Sequence, residues 1–145
     1  MTKDWTIDTC IFYEIEKANL EAIGFLCGVV SRKEKVALDH EGRISSEYRH
    51  CLSKARNDIT KKLLVEMTAK SVVLLSGRLS NDHRKALAFL GFHDDDWPFV
   101  GVCSRTSSKD LVTHDSDYTD EVRKYLLAQM QIRVCGVHDA RQPAP

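Results

Sequence analysis

The chain has 145 residues, and its 21 lysines and arginines balance its 21 aspartates and glutamates. Apolar residues make up 43% and charged residues 29%, as in ordinary globular domains, and no apolar stretch is long enough to cross a membrane. The zero net charge argues against a protein that holds nucleic acid with its whole surface. We expect one domain over residues 1–140, a disordered tail over residues 141–145 and, without a recognisable signal peptide, a cytoplasmic location.

The number and spacing of the cysteines also limit the possibilities. There are five of them, widely spaced, without a C-x-x-C pair, and each has apolar neighbours in the sequence. An odd number without close pairs is not typical of a disulfide framework or a zinc site. We expect all five to be reduced core residues.

Apolar periodicity and turn residues predict strands that alternate with helices. In chain order the pattern predicts a strand at 5–7, a helix at 11–26, a strand at 35–38, helices at 43–52, 59–67, 81–90 and 98–103, a strand at 111–113, a helix at 120–130 and a strand at 132–137. Residues 71–76 fit either a strand or the end of a helix. The alternation predicts an α/β fold with a parallel-type sheet covered by helices on both faces.

Two acids stand out in the first third of the chain. Asp8 follows the first strand, where it can cap the next helix or face a ligand at the edge of the sheet. Glu47 lies three residues after Ile44 and four before Cys51, so it shares the apolar face of its helix. A carboxylate on that face needs a partner, a metal ion or an escape to water.

Three consecutive aspartates, Asp94–Asp96, precede the helix at residues 98–103. Asp96 shares the inward stripe of that helix with Val100, whereas Asp95 lies on a neighbouring stripe. We therefore expect Asp96 to be a ligand, a helix N-cap or both, with Asp95 as the ancillary choice. We expect His93 to be structural, because nothing pairs with it at metal-ligand spacing.

The apolar strand at residues 111–113 ends in two further acids, Asp115 and Asp117. Asp117 can cap the helix at residues 120–130, but no comparable structural role is evident for Asp115. Acids at the carboxyl end of a strand in an α/β sheet lie where ligands bind, and they can hold a divalent cation. His114 alternates to the opposite side of the strand.

The middle of the chain is basic. Between Arg49 and Lys70 there are six lysines and arginines but only two acids, and Arg78 follows. A basic segment beside an acidic pocket suits an enzyme that holds a polyanion and binds metal at the scissile phosphate. A solvated helix face explains the same charges. Candidate contacts to a nucleic-acid backbone are Lys61, Lys62 and Arg78.

Several common catalytic signatures are absent from the sequence. It has no G-x-x-x-x-G-K-[ST] loop, no G-x-G-x-x-G fingerprint, no G-x-S-x-G elbow and no H-E-x-x-H motif. Nucleotide hydrolysis by a P-loop, dinucleotide chemistry and serine hydrolysis therefore lose their main support. A receiver-like phosphoacceptor domain, with Asp94–Asp96 as its acidic cluster, ranks low, because a lone Asp with a downstream Thr and Lys does not follow in order.

Four stretches of the chain resemble the PIN-domain family of metal-dependent nucleases. They are residues 6–9, 42–48, 91–100 and 111–118, and their order and spacing cover residues 6–137. The last stretch is the most specific, since a strand is followed by Thr-x-Asp and a second Asp before an aromatic residue. The resemblance implies a three-layer α/β/α sandwich with a mostly parallel central sheet.

The resemblance also implies a site and an activity. Its catalytic, metal-binding quartet is Asp8, Glu47, Asp96 and Asp115. Asp117 is implied as a fifth, ancillary ligand, and Thr113 as a hydroxyl donor to the same site. The implied activity is Mg²⁺- or Mn²⁺-dependent endoribonuclease cleavage of RNA.

The biological setting that the resemblance implies is broader. Small members of the family look like VapC-type toxins, which implies a toxin–antitoxin pair or a related defence or stress effector. An antitoxin protein and a homodimer are then the expected partners, and a membrane is not. The alternative is a non-catalytic PIN-like module that binds RNA or protein.

Overall fold

The computed structural model describes residues 3–140, so the tail predicted at residues 141–145 lies outside the described residues. The strands are β1 (Asp4–Ile7), β2 (Lys35–Asp39), β3 (Val72–Leu75), β4 (Asp110–Val112) and β5 (Arg133–Cys135). The helices are α1 (Cys10–Glu16), α2 (Leu20–Ser31), α3 (Arg43–Lys54), α4 (Asp58–Lys70), α5 (Asn81–Phe89), α6 (Trp97–Arg105), α7 (Asp120–Met130) and α8 (Val137–Ala140), with a 3₁₀ turn at Asp94–Asp96. None of the helices in this described part combines the length and apolarity needed to cross a membrane.

The five strands form one sheet in the order β3-β2-β1-β4-β5, and every neighbouring pair is parallel. Parallel strands need crossover connections, which are right-handed in nearly all proteins. This handedness places α1, α2 and α4 on one face of the sheet and α6 and α7 on the other. The contacts agree, since α1 and α4 both pack on α2, while α6 packs on β1, β2 and β4. The predicted α/β fold with helices on both faces of a parallel sheet is confirmed.

The order of the strands creates a crevice between β1 and β4. After β1 the chain builds β2 and β3 on one side, then returns through α6 to place β4 on the other side of β1. The connections that follow β1 and β4 therefore leave on opposite faces of the sheet. Such a switch point opens at the carboxyl ends of the strands, where open α/β sheets bind ligands. Asp8 directly follows β1, and Asp115 follows β4 by three residues.

The single helix predicted at residues 11–26 is wrong, because the structure divides it into α1 and α2. Ala18 adopts a φ of 60°, which no helix interior allows, and the Asn19 side chain accepts a hydrogen bond from the Ala22 amide at 3.1 Å. Ile15 and Ala22 are both fully buried, so the apolar spacing continues across the break and hides it. The ambiguous residues 71–76 contain β3.

The position of α6 depends on a close approach between two glycines. Gly101 lies in the middle of this helix, and a Cβ atom on it would overlap the backbone of Gly77, in the loop after β3. Residues 98–103 of the helix are all buried. This packing fixes the start of α6, and with it the position of Asp96.

The cysteines differ in exposure. Cys51, Cys103 and Cys135 are buried, as predicted, but Cys10 is partly exposed and Cys27 is exposed. The prediction that all five lie in the core is therefore wrong for these two. All five are free thiols. Cys27 lies on α2 beside an apolar groove against α4, so apolar sequence neighbours did not imply burial.

Candidate metal centre

A threonine connects the acids at the ends of β1 and β4. The Asp8 amide donates to the Val112 carbonyl at 2.9 Å, which extends the β1–β4 pairing to Asp8. The Thr113 hydroxyl donates to Asp8 Oδ2 at 2.7 Å and accepts from the Asp115 amide at 3.0 Å. Asp8 and Thr113 are both buried. Thr113 therefore fixes the direction of the Asp8 carboxylate and the start of the Asp115 loop.

Three carboxylates converge at this point. Asp8, Asp96 and Asp115 each offer an oxygen, and these oxygens all lie within 4.8 Å of one another. Asp96 occupies the N-cap position of α6, but its side chain makes no capping hydrogen bond. Its carboxylate is therefore free of the structural role that was the alternative for it. Oδ1 of Asp115 accepts a hydrogen bond from the Asp117 amide at 2.9 Å, which orients this group as well.

The protein does not neutralise these three carboxylates. Within residues 3–140, no Lys, Arg or His forms an ion pair with Asp8, Asp96 or Asp115. Burial, together with the charges of Asp8 and Asp115, raises the pKa of Asp96 to about 7. Burial raises the pKa of Asp8 as well, against the opposing Thr113 hydrogen bond and with support from the Asp115 charge. Converging carboxylate oxygens without an internal cation are the ligand set that Mg²⁺ and Mn²⁺ prefer, so the residues fit such an ion.

Glu47 lies at the rim of this group. Burial and the charge of Asp8 raise its pKa, while Arg43 opposes the rise. The side chain is nevertheless exposed, whereas the buried residues of α3 are Ile44, Tyr48 and Cys51. Of the outcomes left open for Glu47, the structure shows the escape to water at the edge of the apolar stripe. It lies near the three converging carboxylates and remains outside the set whose oxygens meet.

Asp117 does not cap α7, contrary to the sequence prediction. Thr119 is the N-cap, and its hydroxyl accepts from the Val122 amide at 3.3 Å. Asp117 is exposed, and its charge adds to the rise in the pKa of Asp96. Thr119 takes this role because it directly precedes Asp120, the first helical residue, whereas Asp117 lies two residues further away.

Of the three consecutive aspartates, only Asp96 joins the converging carboxylates. Asp94 and Asp95 are exposed, and each lies close to His93 Nδ1, at 3.2 and 3.3 Å. The prediction that nothing pairs with His93 at metal-ligand spacing is thus wrong, since these three side chains form an exposed cluster. The cluster has a local role, because the Asp95 amide donates to His93 Nδ1 at the start of the 3₁₀ turn. Asp95 also lies 3.9 Å from Arg43.

Sequence reasoning missed two buried acids, Asp110 at the start of β4 and Asp39 at the end of β2. The two oxygens of Asp39 accept from the Arg43 and Ile44 amides at 3.0 and 2.8 Å. Asp39 therefore caps α3, the helix that carries Glu47. Its position after a strand and before a helix is the same signal that identified Asp8, so the sequence contained the information.

The three predicted backbone-binding cations lie in different places. Lys61 adjoins Glu16, where its charge lowers the pKa of that carboxylate. Lys62 lies beside the apolar groove between α2 and α4. No described hydrogen bond or ion pair joins either lysine to the acidic site. Arg78, in contrast, lines a cavity that also includes Trp97, the residue after Asp96.

Comparison with protein-family models, with curated protein sequences and with solved structures finds no match for this chain. The interpretation of the site therefore depends on its own geometry. The fold, with its crevice at the switch point, and the convergence of Asp8, Asp96 and Asp115 define a candidate metal centre in an α/β protein.

Proposed function

We propose that this protein is a Mg²⁺- or Mn²⁺-dependent endoribonuclease of the PIN type. The observation that carries the proposal is the convergence of three carboxylates, without an internal cation, at the switch point of a parallel sheet. Structural acids are normally paired with cations or with backbone amides. The pKa values of Asp8 and Asp96 are raised, and carboxylates that share a site in this way favour a divalent cation as the missing partner.

Each residue has a role in the proposed chemistry. Asp8, Asp96 and Asp115 hold the cation, and Thr113 keeps the Asp8 carboxylate oriented toward it. A bound divalent cation supplies charge neutralisation at the scissile phosphate and lowers the pKa of a water molecule. Glu47, exposed at the rim with a raised pKa, accepts a proton from the attacking water or orients it.

The occupancy of the site is coupled to protonation. Without a cation, the pKa of Asp96 is about 7, so this carboxyl is largely protonated below neutral pH. A ligating carboxylate must be ionised, so cation binding displaces that proton. Cation affinity is therefore expected to fall as the pH drops below 7.

The test is cleavage of RNA by the purified protein with Mn²⁺, compared with the same reaction in chelator and with Asp8→Asn and Asp115→Asn. We expect Mn²⁺-dependent cleavage that both substitutions abolish. Equal activity in all four reactions would contradict the proposal. Binding of RNA without cleavage would instead favour a non-catalytic PIN-like module.

The proposal leaves room for a protein partner. A PIN-type ribonuclease of this size is compatible with the toxin of a toxin–antitoxin pair or with a defence or stress effector. An antitoxin and a homodimer are proposed partners on the resemblance alone. Co-expression with a candidate inhibitor, followed by the cleavage assay, would test the first of them.

A further inference from the structure

A second polar cavity lies beside the acidic site. It has a volume of about 320 Å³, in the lower part of the range for small-molecule sites. The loop after β3, the start of α3, α5 and the start of α6 enclose it. We call it the arginine cavity, and the lining residues that matter are Arg43, Arg78, Arg84, Trp97, Asp39 and Glu41.

Three arginines and two acids line the arginine cavity, so its formal charge is +1. Arg84 also donates to Asn81 Oδ1, and Arg43 lies 3.9 Å from Asp95. Of its two acids, Asp39 is already engaged by the backbone amides of α3. Glu41 accepts from the Gly77 amide at 2.7 Å and lies 3.9 Å from Arg78 Nε. The Arg78 side chain remains 83% exposed, so Glu41 leaves most of its donors free. The cavity thus presents guanidinium groups beside an indole ring.

The arginine cavity adjoins the candidate metal centre at two points. Trp97 directly follows Asp96 along the chain, at the junction of the 3₁₀ turn and α6. Arg43 lies one helical turn from Glu47, and its charge opposes the rise in the pKa of Glu47. At both points a residue that lines the cavity neighbours a residue of the acidic site.

We propose that the arginine cavity holds one unpaired nucleotide of the RNA strand, next to the scissile phosphate. Arg78 and Arg84 bind the phosphate of that nucleotide, since guanidinium groups form charge-assisted hydrogen bonds with phosphate. Trp97 supplies the aromatic surface for its base, as in proteins that bind single strands. This inference rests on the proposed nuclease function.

Nucleotide binding can be measured without the metal chemistry. The chain has two tryptophans, so Trp5→Phe leaves Trp97 as the only indole fluorophore. In EDTA, adenosine and uridine 5′-monophosphates should change its fluorescence saturably. Calorimetric titration of the unchanged chain gives the same dissociation constant and does not depend on how Trp5→Phe folds.

The arginines provide the specific test. Arg78→Gln and Arg84→Gln should each weaken nucleotide binding by about three- to tenfold, as expected for charge-assisted hydrogen bonds of partly exposed groups. Arg56→Gln is the matched control, because it removes the same charge from an exposed residue just before α4, outside the cavity lining. The same two substitutions should raise KM for single-stranded RNA and leave kcat nearly unchanged.

The outcomes separate this inference from the proposed function. Mn²⁺-dependent cleavage without saturable nucleotide binding, or an equal loss in Arg56→Gln, overturns the nucleotide site and leaves the nuclease intact. Inorganic phosphate that binds as tightly as the nucleotides overturns the role of Trp97. If Asp115→Asn still binds nucleotides, the result supports a nucleotide site in the arginine cavity. If the unchanged chain binds nucleotides but does not cleave RNA, only the proposed nuclease activity is contradicted.

Discussion

The acids at the two ends of β4 are in opposite electrostatic states. At its amino end, Asp110 accepts Lys3 Nζ at 2.7 Å and Arg133 Nε at 2.9 Å. Burial raises the pKa of Asp110, but the hydrogen bonds from Arg133 and Lys3 outweigh burial and lower it overall. Beyond its carboxyl end, Asp115 meets Asp8 and Asp96 with no described cation beside them, and the pKa of Asp96 rises to about 7.

This contrast separates structural acids from candidate functional ones. An acid that the fold uses for its own stability has its counter-charge supplied by the chain, as Asp110 has. Acids placed together without a counter-charge destabilise the fold until something external neutralises them. The counter-charge of Asp110 at the amino edge of the sheet is therefore supplied by the chain, whereas at the carboxyl edge the proposed cation would supply it.

The largest expected effect is the loss of RNA cleavage when an acid beyond the carboxyl end of β4 is substituted, but not when the acid at its amino end is. Asp115→Asn should lower the rate of Mn²⁺-dependent RNA cleavage by about a hundredfold or more, because it removes a ligand from the proposed cation site. Circular dichroism should show a folded protein. Asp110→Asn is the control, since its folded fraction should cleave at the unchanged rate. Comparable loss in both variants would remove the distinction between the two ends.

Mn²⁺ should stabilise the folded protein by binding the carboxylates at the carboxyl edge of the sheet. At a free concentration of about 100 times its Kd, a ligand that binds only the folded state adds about 2.7 kcal/mol to the free energy of unfolding. Thermal denaturation with and without Mn²⁺ measures this gain. Asp96→Asn should reduce it strongly, while Asp94→Asn, at an exposed acid of the same turn, should preserve it. An equal gain in both variants would show that the ion binds elsewhere.

Asp110→Asn should reduce stability by about 1–3 kcal/mol in urea unfolding near neutral pH, because it removes charge-assisted hydrogen bonds from a buried group. The pKa of Asp110 is lower in the folded state than in the unfolded state, so its contribution is present above the unfolded value of 3.8. It is lost as the pH falls through the folded pKa. The destabilisation by Asp110→Asn should therefore shrink in strong acid, and a constant difference would contradict this assignment.

The pKa of Asp96 gives a pH dependence of the opposite sign. The pKa of Asp96 rises from 3.8 to about 7 on folding, so the folded state binds more protons between these values. Its stabilising contribution is complete below pH 3.8 and is lost as the pH rises toward 7. The free energy of unfolding should therefore decrease less between about pH 4 and pH 7 in Asp96→Asn than in the unchanged chain. Urea unfolding in chelator measures this difference. An unchanged slope would mean that Asp96 does not carry the excess proton.

Much of the fold was predictable because its signals are local. The strand ending before Asp8 and the helix beginning after Gly42 follow from side-chain periodicity and turn residues. The break between α1 and α2 escaped prediction because both helices bury apolar residues at compatible spacing. The sequence therefore predicted the number of strands better than the continuity of the first helix.

The candidate site was predictable in part. Asp8, Asp96 and Asp115 were recognised from their places at the ends of strands and helices, and the structure brings them together. For Glu47 the sequence left open whether the carboxylate is paired or reaches water, and the N-cap of α7 was assigned to Asp117 instead of Thr119. Both residues lie at the edge of a helix or of its apolar stripe. At such an edge, side-chain periodicity does not fix a position to within one or two residues.

The sequence by itself determined which residues carry charge, where most of the elements lie, and that several acids stand near the ends of those elements. Only the tertiary structure decided which of these acids meet. Asp8, Asp39 and Asp110 all adjoin strands, yet one joins other carboxylates, one caps a helix and one pairs with Lys3 and Arg133. The difference arises from the order of strands in the sheet, because electrostatic partners come from segments far apart in the chain and sequence patterns report only near neighbours.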